Sequence, residues 1–231
     1  MTDALIHLRG PAAALPMPNI NTDTIAPLVR GAPGGGQPVG IRSAEELARR
    51  LFGPLRYLPD GRENPDFILN RGPWRQSRFL VAGANFACGS SRETAATMLK
   101  AFGIRCVIAP SFGEIFHDNC LRNHMLPLAL DAATVQVLMD CALAGETFVL
   151  DVACASVGVE GGVSFEFKLP AFRRDMLMTG KDEVEATLAR EAEIARWQAQ
   201  ARRLHPWVFP GAGPGAGQRK PVPLDESGEP L

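Results

Sequence analysis

A glycine, two serines, an arginine and a glutamate stand in unbroken succession at Gly89-Ser90-Ser91-Arg92-Glu93. Hydroxyl groups both donate and accept hydrogen bonds, and the planar guanidinium of Arg92 suits the two oxygens of a carboxylate. An apolar strand pattern precedes this stretch and a helical pattern follows it. At such a helix start, unpaired backbone N–H groups and a partial positive charge favour an anion. The residues are therefore also suited to a carboxylate site at the start of a helix.

Ser90 has two interpretations. It stands three residues before Glu93, which is the spacing of a capping box, and the residue types alone favour this cap because such boxes open many ordinary helices. Alternatively, Ser90 is a base, which requires backbone N–H groups and a cation to stabilise the alkoxide of a weakly acidic hydroxyl. No G-x-S-x-G elbow surrounds it, and neither His117 nor His124 belongs to a recognisable triad. We expect these two histidines on helix surfaces or at an interface.

The segments around this stretch predict an α/β fold. Residues 78–84 and 104–110 are apolar strand candidates, and residues 91–102 between them are a helical pattern that Gly103 ends. Together they form one βαβ unit. Further predicted features are a capping box at Ser43 and Glu46, another at Ser111 and Glu114, a helix near 132–143, and a hairpin of residues 147–153 and 163–169 around Gly161-Gly162.

Composition places the chain among ordinary globular proteins. It has 231 residues, 46% of them hydrophobic, with a net charge of −1 and a pI near 6.4. That balance gives no long-range attraction for nucleic acid or an anionic membrane. The first residues lack a signal-peptide layout, and no window approaches the roughly 18 uninterrupted apolar residues of a membrane span. We expect a cytoplasmic protein that contacts neither nucleic acid nor membrane.

The five cysteines do not form a recognisable cofactor motif. They are odd in number and never fall in a C-x-x-C pair, which argues against a disulfide framework and against a self-contained zinc or iron–sulfur site. We expect most of them to be buried thiols and expect no metal site built by this chain alone.

Five segments in order resemble one known family. The stretch from Asn85 to Ala95 is similar to the G-S-S-R-E motif of the swivelling domain of the aconitase superfamily, and residues 107–128 resemble the segment that follows it there. Residues 19–27 contain a T-D-x-I element similar to that of the same family. Residues 64–70 and 171–180 resemble bacterial small subunits of the 3-isopropylmalate dehydratase family. The resemblance spans most of residues 5–180 and implies the swivelling fold, a central mixed sheet flanked by helices, with a C-terminal helical extension.

The resemblance also implies a reaction and a partner. In this family a large subunit carries a [4Fe–4S] cluster on three cysteines, and the two chains act together as a heterodimeric hydro-lyase of leucine biosynthesis. The reaction removes water from 2-isopropylmalate and adds it back at the neighbouring carbon, through 2-isopropylmaleate. This chain is then the small subunit, binding no cofactor alone and taking a small dicarboxylic hydroxy acid as substrate.

Matching by motif assigns roles to individual residues. Ser90 falls on the catalytic base for the carbon-bound proton, and Asp23 on an acidic active-site residue. Four residues fall on substrate-binding positions: Ser91, Arg92, Thr22 and Arg30. The alternative for Thr22 and Asp23 is an ordinary turn or helix cap.

The sequence departs from the family at two places. Thr94 follows Glu93 where the family often has histidine, and the Gly/Pro-rich loop after T-D-x-I, which helps to select the substrate side chain, differs from the bacterial pattern. The alternatives are therefore a related dehydratase acting on citramalate, homoaconitate or dimethylmalate, or a non-catalytic carboxylate-binding module. We expect one domain over residues 1–205, with a mobile loop near 28–40 and a helical segment near 171–205, and a disordered tail over 206–231.

Overall fold

The computed structural model describes residues 4–27, 43–89 and 93–209. The chain divides into two compact units, Met1–Glu183 and Val184–Leu231. The first unit contains the sheet. Its strands, within the described residues, are β1 (His7–Leu15), β2 (Phe79–Ala82), β3 (Cys106–Ala109), β4 (Leu126–Ala129), β5 (Thr147–Asp151), β6 (Ser156–Val159) and β7 (Ser164–Glu166).

The sheet has a parallel half and an antiparallel half that meet at β1. Its spatial order is β4-β3-β2-β1-β5-β6-β7. Strands β1 to β4 pair in parallel, with Ala12 opposite Phe79 and Cys106 opposite Leu126, whereas β5, β6 and β7 continue from β1 as antiparallel neighbours. The predicted fold class is therefore confirmed, as is the βαβ unit, since β2 and β3 pair in parallel across their connecting helix.

Local capping residues explain where several helices of the first unit begin and end. The Ser43 hydroxyl accepts the Glu46 backbone N–H at 3.2 Å, as its capping box predicts, and Asp131 caps a later helix by accepting from Thr134 N–H at 3.0 Å. Gly103 ends the helix after β2 in a left-handed conformation, φ 115°. The helices are α1 (Thr22–Ile25), α2 (Ala44–Arg50), α3 (Gly53–Arg56), α4 (Thr94–Phe102), α5 (Glu114–Arg122), α6 (Ala132–Leu143) and α7 (Ala171–Thr179), with 3₁₀ segments at Ile68–Asn70 and Gly72–Gln76.

Both faces of the parallel half are buried. Leu80 and Ala82 of β2 belong to a core with residues of α4, while Phe79 and Val81 belong to a second core with residues of α6. All four residues of β2 and all four of β3 are buried. Such continuous apolar runs are typical of parallel strands covered by helices on both sides, and they hold the strand ends in fixed positions.

Three strands, β1, β4 and β6, were not predicted from the sequence. Strand β1 contains Gly10 and Pro11 and three alanines, so it lacks the β-branched and aromatic residues typical of a strand. Strand β6 lies between the two segments that were predicted to form one hairpin, and the Gly161-Gly162 turn joins β6 to β7. The segment 147–153 instead supplies β5, which pairs with β6 through a separate turn.

The second unit contains helical segments only, among the residues that are described. Helix α8 (Glu183–Leu188) begins at the boundary between the units, and α9 (Glu191–Leu204) and a 3₁₀ turn at Pro206–Val208 follow. The predicted single domain over residues 1–205 stays a prediction. The predicted mobile loop and most of the predicted tail lie outside the described residues. No helix in the described ranges is long and apolar enough to cross a bilayer.

Phe79→Ala tests the core that joins the two halves of the sheet. Phe79 is fully buried and its ring centroid lies 5.6 Å from that of Phe148 on β5. Because the change leaves a cavity, we expect it to lower the free energy of unfolding by about 3–5 kcal/mol. The measurement is denaturant unfolding of the full chain. Phe172→Ala is the matched control, because Phe172 is 57% exposed, and we expect it to cost less than about 0.5 kcal/mol. Equal losses of unfolding free energy in both variants would contradict the placement of Phe79 in the core.

Candidate active site at the carboxyl edge of the parallel strands

Three loops meet where β1, β2 and β3 end. Because parallel strands place their carboxyl ends at one edge, the segments 16–27, 83–89 and 110–113 leave the sheet side by side. The middle segment follows β2 and ends at Gly89, the first residue of the G-S-S-R-E motif. The first segment contains the T-D-x-I element. The fold therefore brings the two motifs to one place although about 60 residues separate them in the sequence.

Backbone hydrogen bonds join the middle loop to both neighbours. On one side, the Asn19 N–H donates to the Ala84 carbonyl at 2.9 Å and the Thr22 N–H to the Cys88 carbonyl at 3.2 Å. On the other side, the Phe86 N–H donates to the Ser111 carbonyl at 3.0 Å. The middle loop is thus held as an extra strand-like segment between its neighbours, and its path up to residue 89 is fixed.

Side chains reinforce the same junction. The Asn85 side-chain amide donates to the Asn19 side-chain oxygen at 2.8 Å, and the Asn85 backbone N–H donates to the Ser111 hydroxyl at 2.8 Å. The predicted capping box of Ser111 and Glu114 is therefore wrong, since α5 begins after Gly113 without a side-chain cap. The Ser111 hydroxyl instead accepts a bond from a residue that is 26 positions away in the sequence.

The middle loop has a tightly curled backbone. Asn85, Ala87 and Gly89 have positive φ angles of 56°, 58° and 95°. Glycine adopts this region freely and asparagine tolerates it, whereas alanine is strained there and needs surrounding contacts to hold it. The backbone bonds to the flanking loops supply those contacts.

Two glycines let the loops approach one another. A Cβ atom at Gly83 would lie 2.5 Å from the Met17 carbonyl oxygen, and one at Gly113 would lie 2.5 Å from the Ala87 carbonyl oxygen. Both obstacles are backbone atoms and not flexible side chains. The loops can therefore sit at this spacing only with glycine at both positions.

Three aromatic rings support the junction from below. Phe86 of the middle loop is fully buried, and its ring centroid lies 5.5 Å from Phe116 on α5 and 6.4 Å from Phe112. This edge-on packing anchors the loop on the first core and against α5.

Asp23 lies at the start of a short helix beside the middle loop. Asn21 is the N-cap of α1, and its side-chain oxygen accepts from the Thr24 backbone N–H at 2.8 Å and from the Thr24 hydroxyl at 2.9 Å. The cap is therefore Asn21 and neither Thr22 nor Asp23. Thr22 is 2% exposed, while Asp23 is exposed to solvent one residue beyond the bond to Cys88.

The remaining predicted site residues Ser90, Ser91, Arg92 and Arg30 lie outside the described residues. Their neighbours are described. Glu93 is the N-cap of α4, which begins at Thr94 and not at residue 91, and no side-chain cap bond is made by Glu93. Its carboxylate accepts from the Asn123 side-chain amide at 2.8 Å. The assignments of Ser90, Ser91, Arg92, Arg30, Thr22 and Asp23 to catalysis or substrate binding stay predictions.

The thiols of the first unit are not arranged to hold a cofactor. Cys106 and Cys120 are buried, which raises the pKa of each thiol and keeps it protonated, whereas metals bind thiolates. Cys88 is half-buried, and its thiol donates to the Asn19 carbonyl at 3.7 Å. Cys141 is also half-buried and Cys154 is exposed, so only two of the five cysteines are buried and the expectation that most are buried is wrong. Among the described residues, no three His, Cys, Asp or Glu side chains form a group suited to a metal ion. An iron–sulfur cluster therefore does not fit this part of the chain.

His117 lies on α5 and His124 lies just beyond its end, and the two side chains have different surroundings. His117 is partly exposed beside Asp118, 3.6 Å away, as expected of a helix surface. His124 is 8% exposed and has φ 54°, so the expectation that it lies on a helix surface is wrong.

Comparisons with known proteins agree with this architecture. The family model of the aconitase C-terminal domain matches residues 44–133. A solved structure of 3-isopropylmalate dehydratase from Methanocaldococcus jannaschii superposes with a TM-score of 0.57 at 22% identity, covering 83% of this chain and 99% of that one. The chain thus has the α/β fold of aconitase-type C-terminal domains.

Curated relatives identify the family of this chain more specifically. The 3-isopropylmalate dehydratase small subunit of Paracoccus denitrificans is 40% identical over 208 residues, which is 89% of this chain and all of the relative. That of Rhodospirillum rubrum is 42% identical over 203 residues, or 87% of this chain and 94% of the relative. The chain belongs to the family of 3-isopropylmalate dehydratase small subunits.

Gly113→Ala tests the close approach of the loops. The backbone of Gly113, with φ −61° and ψ 130°, suits alanine, so the cost comes from the close contacts with the backbone of Ala87 and Cys88. We expect a loss of about 1–3 kcal/mol in the free energy of unfolding, because the new methyl group overpacks a backbone carbonyl. Gly162→Ala is the control, since its nearest neighbour would be Val159 at an ordinary 3.5 Å. Denaturant unfolding of both variants is the measurement, and an unchanged stability in Gly113→Ala would refute the packing argument.

Proposed function

We propose that this chain is the small subunit of a 3-isopropylmalate dehydratase, acting with a large subunit to interconvert 2-isopropylmalate and 3-isopropylmalate through 2-isopropylmaleate. The observation that carries the proposal is the 40–42% identity with small subunits of that enzyme over nearly their whole length. The meeting of the T-D-x-I element with the G-S-S-R-E loop at one edge of the sheet supports it.

In this proposal the chain binds a carboxylate and moves a proton. Arg92 presents two donors to a substrate carboxylate, and Ser91, Thr22 and Arg30 add further contacts. The position of Ser91 and Arg92 in the sequence directly before α4 supports this role, because the first N–H groups of a helix favour negative charge.

Ser90 accepts the proton from the substrate carbon during dehydration and returns it during hydration. The serine hydroxyl is weakly acidic, so Ser90 can act as the base only if the surrounding N–H groups and a cation stabilise its alkoxide enough for that form to be populated. Asp23, on the neighbouring loop, orients the cationic groups of the site. In this proposal the chain's own residues carry out proton transfer and substrate binding only.

The proposed partner subunit carries the [4Fe–4S] cluster. When bound, such a cluster supplies an open iron that acts as a Lewis acid toward a substrate hydroxyl and carboxylate. The donor set in the described part of this chain supports placing the cluster on the partner.

The first experiment is to purify the chain alone and with its large subunit under anaerobic conditions. We expect the isolated chain to be colourless and inactive after iron–sulfur reconstitution, and the complex to be brown and to turn over isopropylmalate. A panel with citramalate, homoaconitate and dimethylmalate identifies the substrate side chain. Turnover by the reconstituted chain alone would contradict the two-chain proposal, and carboxylate binding without turnover in the complex would favour a binding module.

Ser90→Ala distinguishes a base from a helix cap. If Ser90 is the base, turnover by the complex falls by roughly 10² to 10⁴ while the fold survives, because a positioned proton-transfer group is lost. If it is only a cap, the variant loses about 0.5–2 kcal/mol of stability and keeps its rate. The measurements are thermal unfolding, net isomerisation, and exchange of the substrate's carbon-bound proton in deuterated water.

Ser43→Ala is the matched control for that experiment. The Ser43 hydroxyl caps α2 by accepting from the Glu46 N–H, so its removal lowers stability without changing proton exchange. A Ser90→Ala complex that behaves like Ser43→Ala, melting lower but exchanging protons normally, would mean that the base lies elsewhere.

A further inference from the structure

The chain that enters and leaves residues 90–92 is held at both ends. At the entry, the Cys88 carbonyl accepts from the Thr22 N–H at 3.2 Å. At the exit, Glu93 is the N-cap of α4, and its carbonyl accepts from the backbone N–H groups of Ala96 and Thr97 at 3.0 and 3.2 Å. The helix fixes the Glu93 backbone but does not determine how the start of the helix is placed against the rest of the site.

That placement comes from Asn123 at the end of α5. The Asn123 side-chain amide uses both of its hydrogens, donating to the Glu93 carboxylate at 2.8 Å and to the Asn119 carbonyl at 2.9 Å. A bond to a carboxylate is stronger than one between neutral groups, and asparagine is the short side chain that offers two donors from one nitrogen. The contact therefore links the start of α4 directly to the end of α5.

Backbone hydrogen bonds hold Asn123 and the residue that follows it in place. Its backbone N–H donates to the Asn119 and Cys120 carbonyls, and the carbonyl of the next residue, His124, accepts from the Arg105 guanidinium at 3.0 Å. On the same helix, Phe116 packs against Phe86 of the middle loop. Helix α5 and its C-cap thus contact the middle loop at Phe86, before residue 90, and contact the chain again at Glu93, after residue 92.

We propose that Asn123 and Glu93 are positioning residues, whose hydrogen bond fixes the start of α4, directly after the proposed site residues Ser90, Ser91 and Arg92. This inference rests on the proposed function of those three residues. Glu93 is exposed to solvent, so the bond contributes little to global stability. Its contribution is geometric, because small displacements of groups that bind and deprotonate a substrate lower the rate strongly.

The test compares Asn123→Ala, Glu93→Ala, the double variant and Glu93→Gln in the complex with the large subunit. Each alanine variant is expected to lower kcat/KM by about 10- to 100-fold. The double variant is expected to lose no more than either single variant, because both remove one shared contact. Glu93→Gln keeps an oxygen acceptor for Asn123 and should stay within about threefold of the wild type. Additive losses, or alanine variants that only melt lower at unchanged kcat/KM, would overturn the inference.

Gln136→Ala is the matched control, because Gln136 makes the same type of bond from a side-chain amide to the Asp140 carboxylate at 2.8 Å on α6. We expect its kcat/KM to be unchanged. Hydrogen exchange of the amides in residues 90–94 gives a readout that needs no turnover, and it should be faster in Asn123→Ala and unchanged in Gln136→Ala. If the wild-type complex is inactive on every substrate, the proposed function fails, while unchanged exchange in Asn123→Ala refutes the positioning role itself.

Discussion

The hydrogen bonds that join the loop after β2 to the loops on either side determine the geometry of the candidate site. Residues 83–89 are neither helix nor regular strand, and buried backbone groups need partners. The partners come from Asn19 and Thr22 on one side and from Ser111 on the other. The position of Gly89, and with it the entry to the G-S-S-R-E motif, therefore depends on two segments that are distant in the sequence.

This arrangement explains why the site needs small and unusual residues in its supporting loops. Adjacent backbones at this spacing leave no room for a Cβ at Gly83 or Gly113. The repeated left-handed residues in the middle loop turn successive peptide groups toward alternate neighbours, and Ala87 accepts some strain to do so. Close-packed strands below the loop, β2 and β3, are buried along their whole length and give the strained loop a firm support.

The sequence predicts the parts of this structure that depend on neighbours along the chain. The capping box at Ser43 and the glycine that ends α4 are local signals, and both are confirmed. Ser111 carries the same local signal as Ser43, but its hydroxyl is taken by Asn85 through a tertiary contact. The alanine-rich β1 was missed because its conformation comes from pairing with strands on both sides and not from residue propensity.

The supporting residues of the site were missed for the same reason. The motif residues can be recognised from the sequence alone, whereas the roles of Asn19, Asn85 and Asn123 become visible only when the fold places them beside their partners. Asparagine is frequent in turns, so its presence in these loops predicts no particular contact. A side-chain amide, however, donates and accepts at once without carrying charge, which suits it to joining loops around a site that is to bind an anion. A lysine or aspartate in the same positions would change the local electrostatic potential that the proposed carboxylate meets, so the asparagines join the loops without adding charge to the proposed site, whose positive charge is assigned in the proposal to Arg92 and the start of α4.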